Sequence, residues 1–184
     1  MRSLVSIILL LSLTTAPAAE PAEWRLDQAN SELGFVATYE GVGFKARFEK
    51  FAARIDFDAE RPGAGRYEVL IQVASLNSRS RDRDEGMRDT EWFAAAKHPV
   101  ARFETTAIEQ LAPGSYQATG DLTIKRTTRS IQLPFTWTQE GNTARLRAEV
   151  TLDRTTFDIG SGDWATDSTI GFQVEVVGDL ALTR

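Results

Sequence analysis

Residues 144–153, ARLRAEVTLD, alternate without a break: Ala144, Leu146, Ala148, Val150 and Leu152 fall on one side, and Arg145, Arg147, Glu149, Thr151 and Asp153 on the other. Side chains of a β-strand point to opposite faces in turn, so this period of two describes a strand with one apolar and one solvated face. The same pattern extends outward in both directions. Upstream, Glu140-Gly141-Asn142 is a turn, and Ile131, Leu133, Phe135 and Trp137 form another apolar row. Before that come Tyr116, Ala118, Gly120, Leu122 and Ile124, entered through the turn Pro113-Gly114, and Ala101, Phe103 and Thr105. Downstream, Ile170, Phe172, Val174 and Val176 make the last row.

Nearer the N-terminus, Leu33, Phe35, Ala37 and Tyr39 share one face, followed by Phe44, Ala46 and Phe48. A bulge near Phe51 restores the register at Ala53, Ile55 and Phe57. Arg61-Pro62-Gly63 then turns into Val69, Ile71 and Val73. The alternation lapses only around residues 79–97, a charged, helix-compatible run that ends at His98-Pro99. About eight antiparallel strands of this kind bury their apolar faces either as two packed sheets or as a closed barrel. Closure removes both exposed edges, so the expected fold is all-β: an eight-stranded antiparallel barrel with a short helical excursion around residues 79–97.

The N-terminus reads as an export signal. Met1-Arg2 is a short positive region, Leu4 to Leu13 an apolar one, and Ala16-Pro17-Ala18 a small-residue cleavage site before Ala19. Residues 1–18 are therefore expected to be removed, leaving residues 19–184 as one exported domain, most simply in the periplasm of a diderm bacterium. The apolar run is too short to cross a bilayer. The chain has no cysteine, which excludes disulfides, thiol catalysis and thiolate metal sites. Without Arg2 the mature chain carries 20 basic against 26 acidic residues, a balance opposed to nucleic-acid binding.

An eight-stranded barrel is about the smallest that can either fill itself or hold one small ligand. The inward rows mix large and small residues, Phe35 beside Ala37 and Ala46 beside Phe48, which leaves room for a guest. A tapering, fully packed core shows the same alternation, and the sequence leaves both open. Lined by such residues, a cavity would favour an apolar chain over a sugar or amino acid. The candidate ligand-binding residues are Phe35, Ala37, Tyr39, Phe48, Val73, Phe103, Leu133, Phe135 and Phe172 from the rows, with Trp92 and Phe93 from the excursion. There, Met87, Trp92 and Phe93 supply an apolar side able to cover a barrel mouth.

Chemistry-bearing groups are few. One histidine, His98, and no cysteine argue against a metal site. No Gly-x-Ser-x-Gly elbow marks a nucleophile, so no catalytic residue is assigned and no enzyme or cofactor is expected. In the charge run, Arg81 with Glu85 and Asp84 with Arg88 have the i,i+4 spacing of a solvated helix face.

Asn30-Ser31, Leu33-x-Phe35, Arg83-Asp84-x-x-Met87, Trp92-Phe93, His98-Pro99-x-Ala101-x-Phe103, Gly120-x-Leu122-Thr123-Ile124 and Asp153-Arg154-x-x-Phe157 occur here in an order and spacing that resemble the YceI-like family of exported, lipocalin-fold proteins. The resemblance runs from Trp24 to the C-terminus. It implies a barrel with a long apolar tunnel that carries a polyisoprenoid, quinone-like or fatty-acid-like molecule without catalysis, as a homodimer. A different implied role is a scaffold or accessory to a membrane respiratory cytochrome. The sequence departs from the family pattern at Tyr39, where histidine is usual, and at Ala46, Arg126 and Asp158, where glycine is.

Overall fold

Each apolar row becomes an inward face of one antiparallel sheet. The computed structural model describes residues 23–184; the leader expected over residues 1–18 lies outside the described residues. The strand segments are β1 (Glu23–Leu26), β2 (Glu32–Tyr39), β3 (Val42–Phe48), β4 (Phe51–Asp56), β5 (Arg66–Gln72), β6 (Leu76–Asn77), β7 (Val100–Ala112), β8 (Ser115–Ile124), β9 (Thr127–Glu140), β10 (Thr143–Asp153) and β11 (Gln173–Thr183). A helix, α1 (Arg81–Arg88), is shorter than the excursion the sequence suggests; residues 90–93 and 95–97 are turns.

These segments make eight staves, because three of the staves are kinked. β11 pairs with β2 through Glu175–Asp179 and with β1 through Leu182 and Thr183, so β1 and β2 are two parts of one stave, and this pairing closes the barrel. β3 and β4 form a second stave, paired with β2 and β1 respectively. β5 and β6 form the third, against β4 and β3. From β7 to β11 the strands run on as a simple meander. The expected bulge near Phe51 is in fact the step between β3 and β4 at Glu49-Lys50, where the stave changes neighbours.

A kink strands ladder donors, and serines take them up. Between β1 and β2 the Ser31 hydroxyl accepts from the Ala181 amide at 2.9 Å and donates to the Asp27 carbonyl at 2.7 Å. Between β5 and β6 the Ser75 hydroxyl accepts from the Lys50 amide at 3.0 Å and donates to the Gln72 carbonyl at 2.7 Å. That gives the Asn30-Ser31 pair of the sequence a physical role.

One end of the barrel is solid. Trp24, Phe57, Tyr67, Tyr116, Phe135 and Trp137 interlock there, with Phe57 edge-on to Trp137 at 4.9 Å and to Tyr116 at 5.1 Å, and Tyr116 stacked on Phe135 at 5.2 Å. Phe57 and Trp24 are 0% and 1% exposed, and the Trp24 indole donates to the Phe57 carbonyl at 2.9 Å. Aromatic pairs in these geometries add to the burial of their large surfaces.

The other end is covered by two segments outside the sheet, α1 with its following turns and the connection from Phe157 to Phe172. The carbonyl of Glu91 accepts from the amides of Gly160 and Ser161, at 2.8 and 2.9 Å, joining the two. Trp92 and Trp164 meet with ring centroids 5.6 Å apart. Beneath them lies Arg154, 3% exposed, whose guanidinium donates to six backbone carbonyls: Gly171 from Nε, Ile159 and Gly160 from Nη1, and Trp164, Thr166 and Ile170 from Nη2. Burial pulls its pKa below the ordinary arginine value, opposed by the charges of Asp153 and Asp167. The fit demands glycine at position 160: its φ is +76°, and a Cβ there would stand 2.1 Å from Arg154 Nη1.

Two stability outcomes follow. Arg154→Lys keeps the charge but replaces a planar fork of five donors with one nitrogen, so urea melts are expected to show a loss of about 3 kcal/mol, with faster amide exchange across residues 158–172; an unchanged midpoint would contradict the role given to Arg154. Tyr67 lies in the aromatic end with its buried hydroxyl lacking a partner among the described residues, and burial raises its pKa. Tyr67→Phe is therefore expected to hold or raise stability, by up to about 1 kcal/mol in the same melts, and a marked loss would reveal a hydrogen bond at that oxygen.

Candidate ligand-binding site

Between the aromatic end and the cover the inward residues shrink, and the barrel is hollow. Tyr67 gives way to Val69, Ile71 and Val73 along the third stave, Phe135 to Leu133 and Ile131 along β9, Leu146 to Val150 and Leu152 along β10, and Leu180 to Val176 and Val174 along β11. The space enclosed is about 490 Å³, within the range that accommodates a drug-sized ligand. Val69, Ile131, Leu133, Val150 and Val176 point inward yet are only half-buried, because they border this space; Trp24, Tyr116 and Leu182, inward at the other end, are buried.

Phe103, Leu122 and Phe157 also line the cavity. Gly120, on β8 opposite Thr105 of β7, lets the Phe103 ring lie against the sheet: a Cβ there would sit 2.7 Å from that ring and 2.5 Å from the Glu104 carbonyl oxygen. The cover contributes Met87, Trp92, Phe93, Ile159, Trp164 and Ile170. Phe93 packs against all three apolar clusters of the fold and lies 6.5 and 6.4 Å from the rings of Phe35 and Phe48. The mouth is marked by wall residues that reach solvent: Tyr39, 43% exposed, and Asp82, exposed at the start of α1, with half-buried Arg83 between water and the interior.

Of the residues singled out in the sequence, Phe35, Ala37, Tyr39, Phe48, Val73, Trp92, Phe93, Phe103 and Leu133 lie together on this wall. Two lie elsewhere. Phe135 belongs to the aromatic end, stacked on Tyr116 and 5.3 Å from Tyr67, because alternation gives a residue's face but not its height in the barrel. Phe172 precedes β11, which begins at Gln173 rather than near Ile170, and its ring sits 5.3 Å from the Arg154 guanidinium as part of the cover. Val69, Ile71, Val150 and Val174 were legible as inward residues; Arg83 comes from the short helix α1, and Arg154, Ile159 and Trp164 from the connection after β10, where no strand period singles them out.

The wall's polar side chains are those of Tyr39, Asp82, Arg83, Trp92, Arg154 and Trp164. No serine, threonine or histidine is among the residues that line the cavity. His98 is off the wall, its amide bonded to the Ala94 carbonyl at 2.9 Å. Among the described residues, no three His, Asp or Glu side chains gather as a metal site would need. In the charge run, Arg81 and Glu85 do pair, at 2.7 Å. Asp84 does not meet Arg88: it is buried and accepts from the amide and hydroxyl of Ser78, while Arg88 donates to the Leu76 carbonyl. Asp158, which follows Phe157, adopts a left-handed φ of 55°.

Comparison with known proteins places this architecture. A UPF0312 protein of Pseudomonas putida is 26% identical over 186 residues, with 96% of each chain covered, and one of Shewanella denitrificans is 28% identical over 143 residues, covering 76% of this chain and 75% of the relative. Among solved structures, Burkholderia cenocepacia BcnA superposes with a TM-score of 0.83 at 28% identity, over 85% of this chain and 98% of that one. A domain of Saccharophagus degradans described as polyisoprenoid-binding shares the fold, with a TM-score of 0.69 at 18% identity over 88% and 98% of the two chains. The family model of the YceI-like domain matches residues 24–182, nearly the whole barrel, and this chain belongs to that family.

Proposed function

We propose that this protein is an exported carrier that holds one apolar chain, of polyisoprenoid or acyl type, inside its barrel and shields it from the water of the periplasm. The observation that carries the reading is the 490 Å³ cavity walled by aliphatic and aromatic side chains and reached from one end. Burying about ten methylene equivalents contributes roughly 8 kcal/mol, near micromolar affinity before the costs of ordering the guest. The closed ladder and the solid aromatic end keep the cavity preformed, which holds those costs down. Relatedness to a fold that includes a polyisoprenoid-binding domain supports the same reading, as does the leader-like N-terminus. The wall positions named above, from Phe35 to Leu133, would contact the chain, and Phe93, which bridges the clusters under the cover, is the side chain whose displacement would widen the way in.

Native mass spectrometry of protein purified from the periplasm without detergent, followed by solvent extraction, is expected to reveal a bound molecule with an isoprenoid or acyl chain. Leu133→Trp combined with Val150→Phe puts two larger side chains into the cavity from the neighbouring strands β9 and β10 and is expected to abolish the adduct in a protein that still melts cooperatively. Undiminished loading of that folded double variant would overturn the reading; a bare polypeptide mass that also takes up no added lipid would favour a scaffold role.

A further inference from the structure

If the cavity holds a chain, its polar groups say which end of the chain stays at the mouth and what that end carries. Three charged side chains touch the cavity: Asp82, Arg83 and Arg154. The donors of Arg154 are already engaged by the six carbonyls that hold the cover, so it has none to offer a guest. Asp84, one residue from Arg83, is buried and satisfied by Ser78, and Glu85 is paired with Arg81. Arg83 is different. It is half-buried, its guanidinium carbon lies 4.3 Å from the centre of the Phe44 ring, and no carboxylate or carbonyl among the described residues accepts from it.

A guanidinium stacked on a ring uses its face there and leaves its edge, with the N–H groups, for hydrogen bonding; the planar fork matches a carboxylate or phosphate. Phe44 is itself a wall residue, so the stack fixes the cation where the apolar surface ends. Asp82, next in the chain and exposed, is the one carboxylate beside it on the wall. Being in water, its charge is screened more than that of half-buried Arg83.

We infer that Arg83 is a specificity-determining residue, which selects chain molecules ending in an anionic head group, carboxylate or phosphate, and holds that head at the mouth while the chain lies in the cavity. This rests on the carrier reading and adds to it the direction of entry and the chemistry of the exposed end. It also assigns Asp82 an opposing role: its charge weakens the attraction and keeps the head exchangeable.

The test compares farnesoate, farnesyl phosphate and farnesol, which share one isoprenoid chain and differ in head group, by isothermal titration of the mature protein stripped of lipid. The wild type is expected to bind at least one of the two anions tenfold or more tighter than the alcohol. Arg83→Gln should bring that ligand down to the level of farnesol while leaving farnesol within about twofold, Arg83→Lys should retain part of the preference, and Asp82→Asn should increase it. The arm that responds distinguishes carboxylate from phosphate. Equal binding of all three by the wild type, or a preference that survives Arg83→Gln in a folded protein, overturns the inference while leaving the carrier reading in place. Failure of all three to bind overturns the carrier reading and this inference with it.

Discussion

The cover of the barrel depends on one cation that has no carboxylate in hydrogen-bond contact. Removing an arginine from water is costly unless its donors are satisfied, and Arg154 meets that requirement with backbone carbonyls of a single connecting segment. Bond by bond this fixes the path of residues 159–171, and through the Glu91 carbonyl and the Trp92–Trp164 contact it also fixes the turns after α1. A cover held this way needs few apolar side chains pushed into the barrel, and the space beneath it stays open. An apolar plug of equal strength would have occupied the volume that the fold encloses.

The two ends of the barrel follow from one rule applied with different residue sizes. Along each stave the period of two keeps one face inward, and closure makes that face an interior everywhere. At one end the interior residues are Trp24, Phe57, Tyr67, Tyr116, Phe135 and Trp137, which meet across the axis; beyond them they are mostly valine, isoleucine and leucine, which cannot. Eight staves are close to the limit at which side chains fill a barrel, so this change in bulk decides between solid and hollow.

The sheet was largely legible because its signal is periodic. Residues 144–153 declare a strand and a facing, and the same holds for the rows through Phe35, Phe103 and Leu133, all of which lie on the cavity wall. Two kinds of information were not legible. Height along the barrel depends on register between strands, which alternation does not encode, and Phe135 was therefore assigned to the wall although it sits in the aromatic end. The irregular segments follow hydrogen bonds to backbone groups, which look alike in every residue: nothing in Asp153-Arg154 or in residues 159–171 announces that a guanidinium gathers six carbonyls there. Likewise Ser31 and Ser75 are ordinary in the sequence, and their purpose appears only where the kinked staves leave amides to be satisfied.

Because one end of the barrel is solid, the cavity is a blind socket rather than a pipe. A chain that enters must stop at the aromatic floor, and it must leave by the way it came. In such a socket a second molecule could not push the first out from behind, and any part of a guest longer than the socket would remain outside. For the carrier proposed above, the floor would act as a depth gauge, setting how much of a molecule is hidden and how much is left outside.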